Sequence, residues 1–367
     1  MPPLPSRRDT LRYGGGFLAT VAGCKMLKKS SASSQESPGG HGANSSKGIQ
    51  ILLPTPHQQA SRLRYGAGRL GHLRRDSLAI WDTKTWTLQR TLPLDAPTGF
   101  GTLSDGSLVV ADGPLRPKSP RVYVLPPGDA SPQVYQEYFP AYQYIFQGLD
   151  SQTMILVESR GPSSAVLYQL GPDKSFTRQG SVQIPSDAHQ AITSLGPGAV
   201  GYIDYGTIVK LTFPANQQSF PLPKSISKVY DVAPGPQLGQ VWVSDNEARV
   251  HLLALSTPVR ILCTIPFEPR ERSVVYNLAA FGAHAAAINV TRTSPSKAKT
   301  IPWDWELAVY RPDGSARWRQ PLGQDKTGTE RTLSVGPNFV AVAKFEWMTE
   351  KDELQVWDLE TWKQRLP

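Results

Sequence analysis

The sequence predicts an all-β protein, a seven-bladed β-propeller of four-stranded antiparallel blades over residues 49–367. Three observations carry this. Short runs of Val, Ile, Leu, Tyr and Trp are separated by Gly, Pro and Asp clusters, and no long stretch shows the period of an amphipathic helix. The 33 prolines and 31 glycines are spread through the chain, which suits many turns. A hairpin-shaped segment recurs seven times, starting at residues 78, 122, 166, 208, 250, 307 and 354.

The steps between those starts are 44, 44, 42, 42, 57 and 47 residues. A period in the low forties is that of a four-stranded propeller blade. Each hairpin supplies the third and fourth strands, and the first two precede it, as 100–104 with 107–111 and 229–233 with 240–244. Runs such as LAIW from Leu78 and VHLLAL from Val250 are apolar on both faces, as blades stacked face to face require. The long step marks an insertion at 292–305, between the second and third strands of the sixth blade.

Two hairpins are close in sequence. Residues 78–92 read LAIWDTKTWTLQRTL and 354–366 read LQVWDLETWKQRL. Their Trp81-Asp82 and Trp357-Asp358 endings resemble the WD-repeat family, in a YVTN-like variant. The opening Gly-His of that family is missing, since Gly71-His72 sits too close to Trp81-Asp82. By this resemblance the tryptophans pack blades, the aspartates hold turns, and the insertion shares a ring face with the inter-blade loops.

The first 48 residues read as an address. Arg7 and Arg8 precede a short, glycine-rich apolar stretch that ends at Val21-Ala22-Gly23-Cys24. The pair resembles a twin-arginine export signal, with Thr10 where Phe is usual. The ending resembles a bacterial lipobox, which implies cleavage after residue 23 and acylation of Cys24. Residues 24–48 are rich in Lys, Ser and Gly, and too polar to bury a core, so they form a tether. The chain is thus expected to be exported and lipid-anchored to a bacterial membrane, facing the periplasm or the exterior.

Formal charge is +9, with +2 in residues 1–23 and +3 in 25–48, leaving +4 from Ile49 onward. That mild balance excludes a dedicated nucleic-acid surface. Catalytic signatures are sparse. No Gly-x-Ser-x-Gly elbow occurs. The histidines beyond the tether are scattered, so neither a metal nor a cofactor is expected, and Cys263 has no disulfide partner if Cys24 is acylated; it alternates with Val259, Ile261 and Ile265, as a small buried apolar residue of a strand would. His189, on an inter-blade loop, is the best general acid–base candidate.

The remaining signals favour binding. The segment 135–146 carries six aromatic residues, Tyr138 and Tyr142 among them, and 266–272 carries Arg270 and Arg272. The insertion brings Trp303 and Trp305, and such residues are enriched at binding hot spots. The expected function is a membrane-anchored module that binds a protein or glycan with this loop face, His189 among its residues, and no catalytic residue is assigned. The alternative is an extracytoplasmic enzyme, a hydrolase, lyase or quinone-dependent dehydrogenase, with its site at the central channel. A third reading resembles the lipoprotein propeller of outer-membrane barrel insertion, although that family usually has eight blades. For the anchor, the intact mass of membrane-extracted protein is expected to correspond to a chain starting at acylated Cys24. Unchanged membrane retention of Cys24→Ala would refute it.

Overall fold

The computed structural model describes residues 62–366, apart from 114–120, 137–143, 149–151, 159–163, 185–192, 213–215, 267–272, 293–302, 326–328 and a few single or paired positions. The chain divides into Met1–Gln50, which lies outside the described residues, and one compact unit, Ile51–Pro367. Among its described residues that unit carries 28 strands in seven successive antiparallel meanders of four. The blades span 63–93, 97–136, 144–183, 193–221, 229–266, 273–325 and 329–366. All seven repeated hairpins fall on third and fourth strands. First strands contact one another in succession, and that of blade seven contacts that of blade one, so they line the axis and the ring closes. Blades two and three are also joined by a short parallel pairing of first strands, Gly99 with Tyr144 and Phe100 with Ile145.

Period-two alternation explains why the strands are apolar on both sides. In the second strand of blade two, Leu108 and Val110 pack toward blade one while Val109 and Ala111 pack toward blade three. In blade six, Ala285 and Ala287 face blade five, and Ala286 and Ile288 face blade seven. The described residues form seven apolar clusters, one for each contact between blades. Trp357 packs in the cluster of blades six and seven, and Trp81 against that of blades seven and one. Gly71 and His72 lie inside the second strand of blade one, where a Cβ on Gly71 would meet the Phe100 ring at 2.6 Å.

The last of these contacts, between blades seven and one, closes the ring. Leu63 and Leu70 meet Phe339, Ala341, Ala343 and Val356, and Phe339 is ringed edge-on by Tyr65 and Trp86 at 5.3 and 5.0 Å. Blades one and seven are each built from consecutive described strands, so side chains rather than a shared blade join them. Charges reinforce the join. Arg62 lies 3.7 Å from both Glu330 and Asp352, and its guanidinium sits 3.9 Å over the Phe345 ring. His72, 1% exposed, meets Asp352 at 2.8 Å, and Arg75 pairs with Glu350 at the surface. Burial pushes the Glu330 carboxyl up to about 7 against the pull of Arg62.

A four-strand meander has two unlike ends. Second and fourth strands finish on the same side, so the second-to-third and inter-blade connections share a loop face, and the other connections share a turn face. The turn face is held locally. Asp82 Oδ1 accepts the Lys84 and Thr85 N–H groups at 2.8 Å, and Asp358 Oδ1 accepts those of Glu360 and Thr361 at 2.9 and 2.7 Å. Gly106 and Gly314 turn there at φ of 82° and 87°, a region unfavourable to side chains. Between described strands, no turn-face connection exceeds the seven residues of 126–132, whereas the loop face has 113–120, 184–192 and 293–302, of eight, nine and ten residues.

Three expectations need correction. The insertion is 293–302, because Arg292 pairs with Trp303 and the third strand of blade six is Trp303–Tyr310. Part of the long step lies in the strands of blade six, which run to eight to ten residues. The aromatic segment also narrows to 137–143. Tyr135 is buried at the end of blade two, and Tyr144–Gly148 is the first strand of blade three. The alternation through Cys263 is broken by a bulge opposite Leu252 and Leu253, which leaves Ile261 and Leu262 both exposed and Cys263 half-buried.

Two outcomes follow for the closing join. Phe339→Ala is expected to cost about 3–5 kcal/mol in urea unfolding, against at most about 0.5 kcal/mol for exposed Leu88→Ala. Glu330 has a folded pKa above its ordinary value. Its contribution to stability is therefore full below about pH 4.5 and lost as pH rises through about 7. Arg62 keeps Asp352 when Glu330 is neutralised, so Glu330→Gln is expected to melt above wild type at pH 8, by ~1–2 kcal/mol, and with it at pH 4. An equal effect at both pH values would refute this.

Candidate functional site

Two regions are open to function, the loop face and the axis. On the loop face, the connection 137–143 carries Tyr138 and Tyr142, 184–192 carries His189, and 267–272 carries Arg270 and Arg272. These five residues lie outside the described ones. The strands that flank them end on the same face as those flanking 293–302. Trp305 does not belong with them. It is 3% exposed, lies within the third strand of blade six, and packs with Val335, Val340 and Trp357. The Arg331 guanidinium lies 5.5 Å from its ring centre. The backbone of Trp303 opens the same strand, and its side chain lies outside the described residues.

Several buried charges visible in the structure serve the ring itself. Asp245 accepts from Arg249 Nε at 2.8 Å and lies 3.1 Å from His251, whose other nitrogen meets Thr264 Oγ1 at 2.9 Å. Burial works to raise the Asp245 carboxyl, but the bonds from His251 and Arg249 outweigh it and hold the pKa at about 2. Arg331 Nε donates to Asp325 at 2.9 Å, and Lys344 joins Asp325 and Glu346 at 2.9 Å each. His72, Asp352, Arg62 and Glu330 also converge, and they pair with one another within the closing join. Among the described residues, no group of three or more His, Cys, Asp or Glu is placed to hold a metal.

The axis differs. Apart from the short pairing of blades two and three, the first strands turn an unshared edge to the axis, and those of blades two, five and six each carry a β-bulge near their start. A bulge re-aims the residues around it. In blade five the bulge at Tyr230 sets Asp231 against blade six, where Oδ2 accepts the Leu278 N–H at 2.8 Å and Oδ1 accepts its neighbour Val232 N–H at 2.8 Å. Asn277 likewise donates to the Arg331 carbonyl of blade seven at 2.8 Å. Side chains thus stitch the free edges around the axis.

Asp231 keeps some accessible surface, but protein encloses it. Burial pushes its carboxyl up to about 7 against those two N–H groups and Arg64. Arg64, on the first strand of blade one, is in the same state. Burial pulls its guanidinium down to about 10, while Asp231 pulls it up. The two charges feel each other but make no contact within 4.0 Å. Composition and motifs do not single out this pair. The available signal is a polar residue inside an otherwise apolar first strand, as in Val229-Tyr230-Asp231-Val232-Ala233.

No protein-family model matches the sequence, and no curated protein does. Solved structures do match in fold. Sqt1 of Saccharomyces cerevisiae is 13% identical, with 84% of this chain and 85% of that one covered, at a TM-score of 0.54. The β-propeller domain of Cps50 (Swd1) from Myceliophteria thermophila is 12% identical over 81% and 95%, at 0.55. Virginiamycin B lyase of Staphylococcus aureus is 11% identical over 78% and 91%, at 0.50. Identities this low establish architecture alone, and together with the closed ring of 28 strands among the described residues they make this chain a seven-bladed β-propeller.

Proposed function

We propose that this chain is an exported, lipid-tethered binding module that presents its loop face to a protein or glycan partner. The observation that carries the reading is the asymmetry between the faces. The three longest connections, 113–120, 184–192 and 293–302, all leave strands on one face, while the other is closed by short turns held by Asp side chains and glycines. A closed ring of rigid blades does not need long connections, and residues added on one face alone act on what meets that face. Tyr138, Tyr142, Arg270 and Arg272 supply aromatic and guanidinium groups suited to protein or sugar surfaces. The tether after Cys24 would let the ring approach partners near the membrane.

The test replaces Tyr138, Tyr142, Arg270 and Arg272 together by Ala and measures melting temperature and crosslinked partner recovery from intact membranes. Recovery is expected to fall at least tenfold, with stability changed by no more than about 1 kcal/mol. Trp305→Ala is the contrast, expected to cost about 3–5 kcal/mol because it empties a packed interior. Partner recovery retained in the fourfold variant would reject the loop face as the binding surface.

A further inference from the structure

Arg64 stands apart from the other enclosed arginines near the axis. Arg69 donates to the Leu125 carbonyl at 3.0 Å, and Arg331 bonds Asp325. Arg62 sits between Glu330 and Asp352. Arg64 Nε is sealed from water and has no hydrogen-bond partner, and its guanidinium makes no hydrogen bond or ion pair with any described residue. A guanidinium carries five donors in a planar fork, and in half-buried Arg64 none of them meets an acceptor from a described residue, the Nε donor being shut off from water as well. Asp231 faces it from blade five, which does not neighbour blade one in the ring, so what separates them is the axial channel. The Asp231 carboxyl is fixed by the two N–H groups it accepts, from Val232 and from blade six. It is not free to swing across and pair with Arg64.

We propose that the axial channel is a binding site for a small oxyanion, a carboxylate or phosphate group, anchored by the Arg64 guanidinium. The planar fork matches two oxygens of such a group, which would supply the acceptors that Arg64 lacks. Asp231 bounds the far side. Burial raises its pKa to about 7, so near neutrality it is partly uncharged and repels an anion less than an ordinary carboxylate would. Partial burial of both groups strengthens the attraction relative to open water. The inference stands apart from the loop-face reading, because it concerns the axis and names a different class of ligand.

Thermal melting and titration calorimetry on the purified protein test it. The probes are sodium acetate, sodium phosphate and sodium chloride at equal ionic strength and pH 6.5. In wild type, acetate or phosphate is expected to raise the melting temperature by about 3–8 °C above chloride at ~100 times the dissociation constant. Which of the two does so assigns the source of the oxyanion. Arg64→Gln should remove the rise, while Arg249→Gln, which alters an arginine already paired with Asp245, should keep it. If Arg64→Gln does not fold, Arg64→Lys keeps the charge but loses the fork, and is expected to bind at least tenfold more weakly. The site is rejected by an equal rise in chloride, by no rise and no binding heat with either oxyanion, by an unchanged rise in Arg64→Gln, or by unchanged affinity in Arg64→Lys.

Discussion

Ring closure between blades one and seven is the constraint on which the rest of the structure rests. Every blade is apolar on both sides, so each needs a neighbour on both sides, and only a closed ring leaves no apolar face in water. Inside the ring that requirement is met by consecutive chain, because blade n+1 follows blade n after a short connection. The contact of blade seven with blade one is different, since it joins segments more than 250 residues apart and carries the largest loop-closure entropy. Phe339 between Tyr65 and Trp86 supplies directional aromatic packing there, and the Arg62, His72, Asp352 and Glu330 group fixes how the two blades register. The cost of burying those charges is visible in Glu330, whose carboxyl is pushed up to about 7.

Closure also determines where variation is tolerated. The meander gives each blade one end of hairpin turns and one end of wider connections. Turns such as those at Asp82 and Asp358 saturate their own backbone groups, and nothing can be inserted without breaking those bonds. The connections on the other face, within a blade or between blades, join strands already held by their apolar clusters. Extra residues there do not disturb the ring, which is why blade six accommodates ten between Arg292 and Trp303.

Most of the fold was legible because a blade is a short-range object. Hairpin shape, turn residues and the spacing of about 42 to 47 residues all lie within one repeat, and the Trp-Asp endings show their turn chemistry directly. The limits of individual strands were less legible. Trp303 and Trp305 read as loop residues because charged and polar positions surround them, but they belong to a strand that outlasts the average repeat. Trp305 is covered by Arg331 of the next blade, a partner that no local pattern announces. The bulge opposite Leu252 and Leu253 is silent for a similar reason, since it shifts register by one residue without changing residue type. The candidate face was legible in part. Aromatic and arginine residues mark its connections, whereas Arg64 and Asp231 come together only through the curvature of the ring.

The closing join and the channel show how one physical cost is met in two ways. Arg62 and Glu330 lose water at the join and recover it through direct partners, Asp352 among them, so their burial is absorbed into the fold. Arg64 and Asp231 lose water along the axis without touching. Their attraction acts across a gap, and burial moves both groups toward their neutral forms, Arg64 downward and Asp231 upward. If holding the ring were the only requirement, apolar residues at both positions would do it at lower cost, as the alanines and valines of neighbouring strands do. Asp231 repays part of its cost by capping the free edge of blade six through Leu278. Arg64 caps nothing, and its donors point to chemistry that the ring alone does not require.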